Sequence, residues 1–190
     1  MKRNVLLFGL IGVLFAGIGV YMGMRASDHA SPIAAAAGGA AAKNDGAAGA
    51  SPAVSNLFAQ SMTEANGSGK GLAQWKGKPM VVNFWATWCG PCVEEMPALS
   101  ALQTEIAPKH VQIVGIGIDS PTNIKEFASK YKIAYPLYVA GMSGTELSKQ
   151  FGNQAGSLPY TVLLSADGRV LKTYLGKLKM DELRRDIAAL

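Results

Sequence analysis

The sequence predicts an α/β domain, a sheet with helices on both of its faces, on three observations. MVVNFW (80–85) and VQIVGIGID (111–119) are continuous apolar runs, the pattern of strands buried on both sides. Segments of helical spacing alternate with them along the chain. Near the C-terminus, YTVLLS (160–165) and RVLKTYLG (169–176) flank Ala166-Asp167-Gly168, a hairpin turn signal.

Taken in order, the chain opens with an uncharged apolar segment, VLLFGLIGVLFAGIGVYMGM (5–24). About twenty residues rising about 1.5 Å each match a hydrocarbon core of about 30 Å, so one transmembrane helix is expected. Lys2 and Arg3 precede it, while Arg25 and Asp28 follow. The positive-inside bias leaves the amino terminus in the cytoplasm and sends the remainder across. A cleaved signal peptide is the alternative. Its apolar region runs about 7–15 residues before a small-x-small site, and Met24-Arg25-Ala26 suits that site poorly. Residues 1–25 are therefore read as a retained membrane anchor.

Residues 26–55 are dominated by Ala, Gly, Ser and Pro, with large apolar residues nearly absent. Such a stretch buries too little surface to offset its ordering entropy, so a flexible linker is expected. A coil of this length has ends on the order of 30 Å apart, which tethers a domain near a membrane without fixing it.

The domain is expected over 56–190. Gly77-Lys78-Pro79 introduces the strand 80–85, and a helix follows from Cys89 to about Ala107, with Met96, Leu99, Leu102 and Ile106 on one face. After the strand at 111–119, Pro121-Thr122 open a helix through NIKEFASKYK. YPLYVA (135–140) reads as a strand and TELSKQFG (145–152) as a short helix closed by Gly152. Beyond the hairpin, MDELRRDIAAL (180–190) is a closing helix. The net charge of +5 comes from 18 basic against 13 acidic residues, spread without a basic run. A nucleic-acid partner is not expected.

Both cysteines lie in WATWCGPCVEEMP (85–97). A structural zinc site needs four ligands, and His29 and His110 are poorly placed to complete one, so no metal is expected. A purely structural disulfide across so short a loop removes little unfolded-state entropy. The redox reading fits the chemistry. A Cys-x-x-Cys after a buried strand sets the first sulfur at a helix N-terminus, where unpaired amides and the helix dipole favour a thiolate. Pro91 has no N–H to lose in the first turn. Cys92 lies one turn deeper on the same helix face. Cys89 is the expected nucleophile and Cys92 the resolving thiol.

VVNFWATWCGPCVEEMPAL (81–99) resembles the thioredoxin superfamily, and specifically its membrane-anchored TlpA/ResA-type branch. The resemblance covers about 56–190. It implies a thioredoxin-like fold, a central mixed sheet flanked by helices, with 119–140 as a central helix-strand insertion. Trp85 and Trp88 match the family's tryptophans at the active site, with Gly90 and Pro91 shaping it. Pro97 matches the proline within the family's first long helix. Leu158-Pro159 matches the cis-proline loop that lies against the cysteines, where Leu158 and Tyr160 would line a substrate groove. Where thioredoxin itself carries a buried Asp this sequence has Asn83, and the strand 111–119 has no Lys. Glu95 matches the branch's glutamate and is the candidate general acid/base, whereas Glu94 points elsewhere. No cofactor beyond the Cys89–Cys92 disulfide is implied.

The implied activity is thiol-disulfide exchange outside a bacterial cytoplasmic membrane, on the periplasmic side, reducing oxidised client proteins. A membrane electron donor of the DsbD/CcdA kind would resupply the dithiol. Clients of such proteins serve cytochrome c maturation or metal-site assembly. The alternatives are a disulfide-forming oxidant, a peroxiredoxin-like peroxidase and a copper-binding module. The peroxidase family has Thr three residues before its cysteine, where this chain has Ala86, with Thr87 one residue late.

Overall fold

The computed structural model describes residues 51–68 and 71–190, all within one unit, Asp45–Leu190. The predicted anchor at 1–25 and the predicted linker as far as residue 50 lie outside the described residues. The elements run α1 (Pro52–Ala59), β1 (Thr63–Glu64), a 3₁₀ turn (Leu72–Trp75), β2 (Met80–Trp85) and α2 (Gly90–Ile106). They continue as β3 (Gln112–Gly117), α3 (Pro121–Tyr131), β4 (Leu137–Val139), α4 (Ser143–Gln150), β5 (Tyr160–Leu164), β6 (Val170–Leu175) and α5 (Met180–Ala188).

The six strands form one mixed sheet in the order β1-β4-β3-β2-β5-β6. β2 pairs parallel with β3, and β3 with β4, while the other neighbours are antiparallel. Strand alternation splits the core into two layers. Val81 and Trp85 face α2, α3 and α5 with Met96, Leu99, Phe127, Leu183 and Ile187. Met80, Val82 and Phe84 face α1 and α4 with Val54, Leu57 and Leu147. The central strands β2 and β3 carry apolar side chains on both faces because helices cover both, as their continuous apolar runs predict.

Two glycines of β3 allow this close packing. A Cβ on Gly115 would lie 2.5 Å from Leu137 Cδ2, and one on Gly117 would lie 2.4 Å from Ile124 Cδ1. α3 and β4 widen the sheet beside β3, and α3 brings Ile124 onto this strand.

The folded unit begins earlier than the predicted boundary at residue 56. Ser51 caps α1, its Oγ accepting the Val54 N–H at 3.3 Å, and Pro52 occupies the first turn. Val54 and Leu57 are fully buried, and each contributes about 1.5–3 kcal/mol of apolar burial. Residues 52–55 thus belong to the domain rather than to the linker. Among the described residues no helix is long and apolar enough to cross a membrane.

Candidate active site

β2 runs out under α2, and the turn Ala86-Thr87-Trp88 carries the chain from one to the other. Cys89 is the N-cap of α2. Its N–H donates to Ala86 O at 3.2 Å, and its Sγ accepts the Cys92 N–H at 3.3 Å. Pro91 follows Gly90 in the first turn, where a missing N–H leaves no helical bond unmade. The two cysteines form a disulfide. Cys89 is 7% exposed and Cys92 is completely buried, so an incoming thiolate reaches only the Cys89 sulfur.

Trp88 stands beside Cys89, 69% exposed. It lines a shallow cavity of about 540 Å³ with Ile118, Asp119, Val139 and the exposed Met142. The turn is tied to the segment before α3 at the same place. Thr87 Oγ1 donates to Asp119 Oδ2, while Asp119 Oδ1 accepts from the Ser120 N–H and from Asn123 Nδ2, both at 2.7 Å. Partial burial works to raise the Asp119 carboxyl, but these hydrogen bonds outweigh it and hold the group below its ordinary value. Sequence reasoning missed the Thr87–Asp119 link. The Asp-Ser-Pro run before α3 signals a helix cap and contains no sign of a tie to residue 87.

α2 also carries a buried polar group. Glu95, 2% exposed, sits on α2 one turn past Cys92. Its Oε1 accepts from Asn83 Nδ2 at 2.9 Å, and its Oε2 accepts the Leu178 N–H at 2.8 Å. Asn83 Nδ2 also donates to Thr161 Oγ1 at 3.0 Å. Burial raises the Glu95 carboxyl above its ordinary value, against the two hydrogen bonds and the charge of Lys177, which lower it. Burial, aided by the negative charge of Glu95, also raises the Tyr135 phenol well above its ordinary value. Glu94 points outward to Lys177 Nζ at 2.6 Å, as its offset predicts.

The Leu158–Pro159 peptide bond is cis. Leu158 packs against the cluster that contains both cysteines. Tyr160 requires a correction. Its side chain points to the opposite face of the sheet, where it is 4% exposed and its hydroxyl donates to Phe151 O at 2.7 Å. Strand alternation after Pro159 turns it away from the cysteines, so it packs the core and lines no groove. Among the described residues no group of three or more His, Cys, Asp or Glu could hold a metal ion.

The site thus joins a disulfide at a helix N-terminus, a cis-proline loop and a buried glutamate on one mixed sheet. Residues 36–188 match the model of the Redoxin family. The chain belongs to this family. The thiol-disulfide oxidoreductase ResA of Bacillus anthracis is 30% identical over 123 residues, covering 64% of this chain and 69% of the relative. ResA of Geobacillus thermodenitrificans is 25% identical over 130 residues, covering 68% and 72%. Among solved structures, a secreted disulfide oxidoreductase of Mycobacterium tuberculosis aligns with TM-score 0.58 and 26% identity, over 71% of this chain and 98% of that one. A bacterioferritin comigratory protein of Xanthomonas campestris, studied for alkyl peroxide reduction, aligns with TM-score 0.56 at 22% identity, over 71% and 92%. That last likeness carries the fold alone. This redoxin is of the ResA type within the thioredoxin superfamily.

Proposed function

We propose that this redoxin reduces disulfides in client proteins by thiol-disulfide exchange. The observation that carries the reading is the Cys89–Cys92 disulfide at the N-terminus of α2, with only the Cys89 sulfur reachable. In the reduced protein, the Cys89 thiolate attacks one sulfur of a client disulfide, forming a mixed disulfide and releasing the other client thiolate. Glu95 takes the proton from Cys92, whose thiolate then attacks Cys89 Sγ. The bond between Cys89 and the client breaks, and the client thiolate takes a proton from water. The client gains two electrons and the protein returns to its disulfide. Leu158 and Pro159 would position the client beside Cys89, and Trp88 would cover one side of it.

The reductive direction is supported by Gly90-Pro91 between the cysteines, the pair found in reducing thioredoxins. The apolar run at 5–24 after Lys2 and Arg3 supports an anchor that holds the domain on the outer, periplasmic face of a bacterial cytoplasmic membrane. A reductase there needs electrons from across the membrane, and a donor of the DsbD/CcdA kind would supply them. Oxidised proteins of cytochrome c maturation or metal-site assembly are the client class. The deciding measurement is the reduction potential of the full-length protein in detergent, equilibrated against dithiothreitol. A value near about −270 mV supports a reductase, whereas one near about −120 mV makes the protein an oxidant.

A further inference from the structure

Asn83 is buried at the centre of β2 with an odd division of labour. Its Nδ2 makes both of its hydrogen bonds, to Glu95 Oε1 and Thr161 Oγ1. Its Oδ1 is buried with no hydrogen-bond partner among the described residues. A buried acceptor left unmatched costs about 1–3 kcal/mol, so its retention beside an ionisable group calls for a reason.

The chemistry of Glu95 supplies one. As a carboxylate it only accepts, and it needs the N–H edge of the amide. Once it has taken a proton it carries an O–H donor, which needs an acceptor. Turning the amide over about its terminal torsion exchanges Nδ2 and Oδ1 in nearly the same space. Oδ1 then accepts from the Glu95 O–H and from the Thr161 hydroxyl, itself able to donate as well as accept. A carboxylate at residue 83 would repel the charged form, and an apolar side chain would satisfy neither form.

We propose that Asn83 is a positioning residue for the exchange reaction, holding Glu95 in one place through both protonation states by presenting first its amide N–H and then, turned over, its carbonyl. The inference rests on the role given to Glu95 above. The other groups facing that carboxyl come from every neighbouring element. They are the Leu178 N–H and Lys177 before α5, and Tyr135 before β4, with Cys92 one helical turn earlier on α2. None of the side chains among them offers both an amide donor and a carbonyl acceptor.

The test uses the full-length oxidised protein in detergent, ¹³C-labelled at glutamate and ¹⁵N-labelled at asparagine, titrated by NMR. The Glu95 carboxyl signal is assigned with Glu95→Gln. In the wild type, the Asn83 side-chain amide is expected to shift with the same midpoint as Glu95. In Asn83→Leu the Glu95 midpoint is expected to rise by about one to two pH units, the equivalent of one hydrogen bond to a charged group. In the isosteric Asn83→Asp, expected to fold at acid pH even if the Leu variant does not, the two carboxyls titrate as a pair and the second step moves higher still. The reduced variants should show the same alkaline displacement in the pH profile for reduction of oxidised glutathione, which mere loosening of the fold would not produce. An Asn83 amide indifferent to Glu95, or a Glu95 midpoint unmoved in either variant, overturns the proposal. Failure of the reduced wild type to reduce any disulfide overturns the reductase reading instead, and the midpoints remain readable.

Discussion

The face of the sheet covered by α1 and α4 and the face covered by α2, α3 and α5 are comparably buried, yet they treat polar atoms in opposite ways. Under α1 and α4, the Tyr160 hydroxyl donates to Phe151 O, and Tyr138 Oη accepts from Gln74 Nε2 and Trp75 Nε1 at 2.9 and 3.0 Å. Under α2, three buried polar atoms, Asn83 Oδ1, Trp85 Nε1 and Tyr135 Oη, have no partner among the described residues. The same face holds Glu95 and both cysteines. One face is built for stability. The other leaves unmade hydrogen bonds that a stable core would make, and it holds a disulfide and a buried carboxyl.

The largest effect that separates the faces is at the cysteines. Cys89→Ser is expected to abolish disulfide exchange. Cys92→Ser is expected to complete only the first step and accumulate a mixed disulfide with the client, detectable by intact mass. Accumulation in the Cys89 variant instead would reverse the two roles. Next comes Glu95→Gln, expected to slow resolution on the order of 10²-fold or more. Its stability profile has a definite sign. Folded Glu95 holds its proton more tightly than in the unfolded chain, where the value is about 4.5. Stability from this group is therefore full below about 4.5 and declines as pH rises through the higher folded midpoint. Urea unfolding across pH should show that decline in the wild type and lose it in Glu95→Gln.

On the opposite face, substitutions should alter stability and leave exchange alone. Leu57→Ala on α1 is expected to cost about 2–5 kcal/mol in urea unfolding. Tyr160→Phe, which strands the Phe151 carbonyl, is expected to cost about 1 kcal/mol. Exchange rates in the folded protein should match the wild type in both. A slower rate in Tyr160→Phe would restore the groove role that strand alternation denies it.

The same contrast explains what the sequence made legible. β2, β3, β5 and β6 were readable because apolar runs and a hairpin signal are local, and α2 because its four apolar positions recur at helical spacing. The places of Cys89, Cys92, Pro159 and Glu95 in the fold could be anticipated because motif spacing and family resemblance carry them. α1 was hidden by composition. Its Ser51-Pro52 cap sits in an Ala- and Ser-rich stretch, and the burial of Val54 and Leu57 depends on strands far along the chain. β1, with two residues, has no period to detect. The bonds from Asn83 to Thr161 and from Leu178 to Glu95 span 78 and 83 residues, so only the fold brings those partners together. Tyr160 was misjudged because adjacency to Pro159 in sequence says nothing of which sheet face it takes.

The smallest effect is also the sharpest probe of how isolated the redox face is. Lys177 is exposed and pairs with the exposed Glu94, so Lys177→Met should change stability by no more than about 1 kcal/mol. Yet its charge also lowers the buried Glu95 carboxyl. Removing it is expected to move the Glu95 midpoint upward, by less than Asn83→Leu does, while Glu94→Gln should not raise it. Salt discriminates further. At about 1 M the screening length falls to about 3 Å, which quenches the exposed Lys177–Glu94 attraction but acts less on a line through the low-dielectric core. A Lys177→Met shift that survives high salt would mean that the surface beside α5 tunes the buried acid directly. A midpoint unmoved at any salt would leave burial, Asn83 and the Leu178 N–H as its only controls, and surface charge would then bear on client approach alone.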